Sequence, residues 1–241
     1  MQYATVEQST IILNMCGRFT LTERDRNVVE TRLGLPSGAL GLYIPRYNIA
    51  PTQFHFVVTA KYENRASLPA RWGLVPYWSK DNSRAAQCIN AQCESVETRP
   101  TFRDAFKSRR CVVPADGYYE WTGPRSARRP WWIHRGDGQL LLFAGLYEIW
   151  KPAGREAETT FTILTCAANS ATAAVHNRMP VILSDRDADD WMNPREADPL
   201  ALKRMLVPAP EDLLEMRPAS PLANNARNEG PELLIEPHLT D

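Results

Sequence analysis

The chain has 241 residues, with 28 Lys/Arg against 28 Asp/Glu and a formal net charge of zero, long enough to bury a substantial core. Hydrophobic content of 44% and charged content of 23% are ordinary globular values, and the longest apolar runs, such as 140–146, are too short to span a bilayer. Five cysteines, an odd number without a Cys-x-x-Cys pair, argue against a disulfide framework or a zinc site and for a reducing, cytoplasmic setting.

Residues 1–14 lack a basic segment and a long apolar run, so they read as an unstructured leader or a mis-called start ahead of Met15. Thr20-x-x-Glu23 reads as a capping box opening an amphipathic helix through Val28, Val29 and Leu33 to Gly34. The proline-punctuated segment 35–52 reads as loop. Strands are expected at 54–59 and 68–74, then a helix over 95–107 interrupted at Pro100. A strand beginning at Cys111 should run on through Trp121. The spans 131–134 and 139–149 flank Arg135-Gly136-Asp137-Gly138, a hairpin signal. Another strand covers 161–166, Asn169 or Ser170 caps a short helix ending near His176, and 179–183 reads as a buried strand. Short helices around 187–192, 200–206 and 211–216 follow, and 226–241 reads as a loose tail. Strands dominate the middle and helices the end, which makes the class α+β.

Charge is uneven along this order. Residues 61–140 carry 14 Lys/Arg against 8 Asp/Glu, whereas 185–241 carry 6 against 13. The basic middle fits either a phosphate-tracking groove or a solvated face neutralised by the acidic end.

Chemistry concentrates at Cys16, directly after Met15. If Met15 is the start, trimming leaves Cys16 terminal, with a thiol near pKa ~8.5 beside an α-amine near ~8. Such a pair condenses with an aldehyde to a thiazolidine ring; an internal cysteine cannot. Glu120, between Tyr119 and Trp121, is either a desolvated proton-transfer group or an outward-facing carboxylate. His176 is either a general acid/base or a satisfied core histidine. Asn90 presents an amide to a reacting group or caps a helix, and Asn48 is a turn former or a polar contact. Trp72 to Trp78, with Arg71, Lys80 and Arg84 nearby, suits single-stranded nucleic acid or plain core packing.

Seven motifs then stand in a specific order: Met15-Cys16-Gly17-Arg18-Phe19, Asn48-Ile49-Ala50-Pro51, Trp72-Gly73-Leu74-Val75-Pro76, Asn90-Ala91 with Glu94, residues 109–121, residues 143–147 and His176-Asn177-Arg178-Met179-Pro180. In this the chain resembles the SOS response-associated peptidase (SRAP) family over about residues 15–220. The resemblance implies a single α+β domain (here 15–225) on a mixed, barrel-like sheet flanked by helices. It implies capture of abasic sites in single-stranded DNA as a covalent adduct, with self-processing and lyase activity. Cys16, Asn90, Glu120 and His176 match the family's catalytic residues; Arg18, Asn48, Trp72, Arg84 and Arg178 fall in or near its DNA cleft. No cofactor, metal or membrane is implied, and a monomer is expected. Gln92 stands where the family commonly has Arg, with Arg84, Arg99 and Arg103 as substitutes. The alternatives are a thiol autopeptidase and a non-catalytic single-strand binder.

Overall fold

In the computed structural model of the chain, residues 16–61, 64–196 and 198–236 are described. β1 (Phe19–Leu21), α1 (Arg26–Arg32), β2 (Arg46–Ile49), β3 (Phe54–Lys61) and β4 (Asn64–Trp72) form the first third. β5 (Asn90–Gln92), α2 (Arg103–Ser108), β6 (Arg110–Ala115), β7 (Gly117–Thr122), β8 (Arg129–Arg135), β9 (Leu141–Trp150) and β10 (Glu158–Ala167) follow. β11 (Arg178–Pro180), β12 (Ile182–Leu183), α3 (Asp185–Met192), α4 (Pro199–Arg204) and β13 (Leu214–Pro218) come last.

Five strands close into a barrel in the order β10-β4-β3-β6-β9, with β9 pairing back onto β10. The β10–β4 pair is parallel and the others antiparallel, so the barrel is mixed. A second, antiparallel sheet runs β13-β8-β7-β1-β2. Residues of both sheets share one continuous core. Every residue of β6 is buried, as a strand covered on both faces must be. At the centre, Phe19 of β1 packs edge-on against Trp72 and Phe143, with ring centroids 5.1 and 6.2 Å away, and Trp72 stacks on Phe161 at 6.1 Å. Trp191 of α3 closes over β6 by donating its indole N–H to Cys111 O at 3.0 Å. Among the described residues no helix is long and apolar enough to cross a membrane.

The expected strand through 111–121 divides at Asp116, because β6 belongs to the barrel and β7 to the second sheet. Asp116 accepts from Thr20 Oγ1 at 2.5 Å and from the Thr22 amide and hydroxyl, which pins the crossing. Gly117 is required there, since a Cβ would lie 2.2 Å from Trp132 Nε1. This crossing places Glu120 on the second sheet, facing the start of the described chain.

Several local readings give way to tertiary partners. Thr20 caps no helix; it is buried in β1, and Asp25 caps α1 by accepting from Asn27 N. The 35–52 loop contains β2. The 135–138 segment turns, but β8 and β9 pair in different sheets, so it closes no hairpin. The helix over 95–107 shrinks to α2 and the strand over 179–183 splits into β11 and β12. The 169–176 segment is a series of turns in which Asn169 Oδ1 accepts from Thr172 N. Residues 214–216, read as the end of a helix over 211–216, instead begin β13 (Leu214–Pro218), because β8 offers an open edge. Residues 226–236, read as loose, are held by buried Leu233 and by Ser220 N donating to Leu233 O at 3.1 Å. The leader 1–14 and residues 237–241 lie outside the described residues.

Candidate active site

Cys16 and Glu120, 104 residues apart, meet directly: the Cys16 backbone N donates to Glu120 Oε1 at 2.6 Å. Both are buried. Cys16 holds φ at +34°, a left-handed conformation that costs a non-glycine residue roughly 1–2 kcal/mol. Burial pushes the Glu120 carboxyl up to about 8, with the Cys16 hydrogen bond and the Arg128 charge pulling the other way. Burial, and then the neighbouring Glu120, raise the Cys16 thiol well above its usual value. At neutral pH both groups therefore hold their protons.

Tyr118, which shares Glu120's face of β7, places a fully enclosed hydroxyl beside them with no hydrogen-bond partner among the described residues. Its own ionisation is suppressed by burial and then by Cys16 and Glu120. Sequence reasoning passed over Tyr118; its spacing of two from Glu120 on a strand was the available signal.

Asn90 and His176 arrive from another direction. β5 and β11 flank the C-terminal half of β10, with Ile163 opposite Asn90 and Ala167 opposite Arg178. Asn90 begins a strand and caps no helix; the residue borders a cleft of about 180 Å³ with Trp78, Arg84 and Arg99, with its side-chain oxygen buried. His176 is half-buried, and its Nδ1 lies 3.0 Å from the Arg178 amide, which donates to it, and 3.3 Å from Arg178 O. Burial, and to a lesser extent the Arg178 charge, lower its pKa.

The residues expected to contact nucleic acid separate into distinct environments. Arg18 lines a larger cleft of about 600 Å³ with Gly17, Trp121 and Arg128. Arg128, just before β8, was not singled out by sequence; it is exposed at this cleft and its charge reaches Glu120. Asn48 is fully enclosed and accepts from Arg18 Nη1 at 2.9 Å, so it acts through Arg18. Trp72 is corrected outright as a stacking platform: it has no exposed surface, and its indole N–H donates to Ile89 O at 2.8 Å. The exposed rings of that motif are Tyr77 and Trp78. Arg84 is exposed on the smaller cleft. Arg178 is forked onto Glu94 at 2.6 and 2.9 Å and also donates to Thr165 O. Gln92 is exposed, as are Arg99 and Arg103.

The family model described as SOS response associated peptidase (SRAP) matches residues 15–226. Abasic site processing protein YoqW of Bacillus subtilis (strain 168) is 38% identical over 229 residues, covering 93% of this chain and 100% of that protein. Abasic site processing protein YedK of Escherichia coli (strain K12) is 30% identical, covering 91% and 99%. Abasic site processing protein HMCES of Mus musculus is 29% identical, covering 80% and 65%. A crystal structure of a protein from Bacteroides thetaiotaomicron shares the fold with a TM-score of 0.81 at 22% identity, covering 92% of this chain and 100% of that one. The chain belongs to the SOS response associated peptidase (SRAP) family.

Proposed function

We propose that this protein captures abasic sites in single-stranded DNA as a covalent thiazolidine adduct, once the Cys16 nitrogen is free. The observation that carries this reading is the 2.6 Å contact between that nitrogen and a buried carboxyl shifted to about 8. The names of the relatives, abasic site processing proteins, supply the substrate class.

An abasic deoxyribose is mostly a closed hemiacetal. Glu120 protonates the ring oxygen while a base takes the anomeric hydroxyl proton, and the aldehyde opens. The Cys16 amine adds to the carbonyl carbon, one of its protons passing to the carbonyl oxygen and the other to the Glu120 carboxylate, which hands it to the departing hydroxyl, giving an imine and one water. The Cys16 sulfur then bonds to the imine carbon while its proton passes to nitrogen. The net change is aldehyde plus aminothiol to thiazolidine plus water. Asn90 hydrogen-bonds the sugar, and His176 offers a ring N–H to the oxygen freed by ring opening, a position that also serves β-elimination. Affinity comes from phosphate contacts and ring stacking, so binding is salt-sensitive and tolerant of sequence.

A coexisting self-processing reaction is favoured by the strained φ of Cys16 next to the Met15–Cys16 bond. Attack of the Cys16 thiol on the Met15 carbonyl breaks the Met15–Cys16 amide, moves the acyl group to sulfur and frees the amine, and water then hydrolyses the thioester to release residues 1–15. Attack on the Asn14 carbonyl instead frees the Met15 nitrogen, and Met15 must still be removed; Glu120 and His176 move the protons in either case.

Intact mass after incubation with a single strand bearing one abasic site tests the reading. Protein with a verified Cys16 terminus should gain the mass of the strand less one water, and Cys16→Ala should gain nothing. No adduct from the verified wild-type terminus would sink the proposal. Loss of residues 1–15 on storage, blocked in Cys16→Ala and Glu120→Gln, reads out self-processing.

A further inference from the structure

The wall of the larger cleft is completed by a segment far from every chemical motif. Residues 221–229 follow β13 and are fixed at their start by Ala219 N donating to Pro130 O at 2.9 Å. From this anchored stretch, Asn224 Oδ1 accepts the Trp121 indole N–H at 2.7 Å, and its Nδ2 donates to Arg128 O at 3.2 Å. One residue earlier, Ala223 O accepts from Arg18 Nη1 at 2.9 Å. The carbonyls of Asn225 and Asn228 each accept from Asn48 Nδ2 at 3.0 Å, which aims Asn48 Oδ1 at Arg18. Glu229 clamps the strand behind them, accepting from Arg46 Nε and Tyr47 N at 2.8 Å. Arg18 lies over the Trp121 ring with its guanidinium carbon 5.7 Å from the centroid.

We infer that residues 221–229 are the positioning element of the single-strand cleft, with Asn224 as its working residue. Asn224 touches no reacting atom. It fixes the plane of the Trp121 ring and the height of the Arg128 loop, while the adjoining carbonyls fix Arg18 directly and through Asn48. Three groups of the kinds that bind single strands, two cations and one aromatic face, are thus set by one short segment. Each hydrogen bond removes a rotamer choice that DNA binding would otherwise have to remove. The inference rests on the DNA reading above but not on its covalent step.

A labelled single strand carrying an internal tetrahydrofuran, an abasic mimic without an aldehyde, separates binding from chemistry. By fluorescence anisotropy, Asn224→Ala should bind this strand about tenfold more weakly than wild type, the effect of losing two hydrogen bonds that orient the cleft. Its melting temperature should stay within about 3 °C, because Asn224 is exposed. Trp121→Phe keeps an aromatic face but loses both the donor that Asn224 accepts and part of the ring area, and should weaken binding in the same direction. In single-turnover crosslinking with an aldehyde-bearing strand, the Asn224→Ala loss should fall on the half-saturating DNA concentration and not on the saturated rate. Both variants binding within about twofold of wild type, or a loss shared by saturated rate and melting, would overturn the inference. Wild type that binds the mimic yet forms no adduct overturns the covalent reading alone. Wild type that binds neither strand overturns both.

Discussion

Arg18 and Arg178 are both motif arginines, and they live in opposite electrostatic worlds. Arg18 is held by neutral acceptors, Asn48 Oδ1 and Ala223 O, beside a neutral ring. Nothing in that set cancels its charge. Arg178 is forked onto the Glu94 carboxylate; although burial pulls its basicity down, Glu94 more than restores it. The first arginine is oriented and electrostatically available to a phosphate. The second is already neutralised, and its fork ties β11 to the end of β5. Glu120 belongs with Arg18: its hydrogen-bond partner is an uncharged N–H, so burial keeps the carboxyl protonated instead of pairing it. A charged group given neutral partners is either kept for an external ligand or forced to hold its proton.

The strongest way to break this comparison is through pH. Glu120 titrates near 8 in the folded chain against an ordinary 4.5. Because the folded value is raised, its contribution to stability is fully present below the ordinary value and is lost as pH climbs through about 8, a change of roughly 5 kcal/mol. Urea unfolding of wild type should therefore show a steeper fall in stability from about pH 5 to pH 8 than Glu120→Gln, which keeps the acceptor oxygen and cannot ionise. Identical pH profiles for the two proteins would place Glu120 in a polar, ionised setting instead.

Next in size is Arg18→Ala. It should weaken binding to the tetrahydrofuran strand by about 1.5 kcal/mol and reduce the salt slope by about one. Arg178→Ala should leave that slope nearly untouched, because its charge is already matched. Equal slopes in the two variants would erase the distinction.

The smallest effect has the opposite sign. Glu94→Gln removes an exposed carboxylate and releases the Arg178 fork, so binding should tighten by about 0.5–1 kcal/mol and the salt slope should steepen. Weaker binding in Glu94→Gln would mean that the fork serves to aim Arg178 at the strand.

Much of the secondary structure was legible where period and composition were local. The alternating 161–166 stretch is the centre of β10, and the run at 140–146 is most of β9. The failures share a cause. Thr20 reads as a helix cap only until Asp116 and Trp132 claim its hydroxyl, and both lie about a hundred residues away. The Gly-Asp-Gly turn at 136–138 is real as a turn, but which sheet its flanks join depends on strand edges far along the chain. Trp72 beside basic residues looks like a nucleic-acid platform, and its packing on Phe19 and Phe161 shows why composition alone does not distinguish a core ring from a binding ring.

By itself the sequence determined the family, through motifs whose order survives any uncertainty about contacts, and it singled out Cys16 and Glu120 by residue type and neighbours. Tertiary structure alone decided that Glu120 is buried against the Cys16 nitrogen, that Arg128 and Tyr118 stand close by, and that residues 221–229 hold Arg18. The physical reason is that a residue's type is local, whereas desolvation, charge matching and hydrogen-bond partners are properties of what the fold brings beside it.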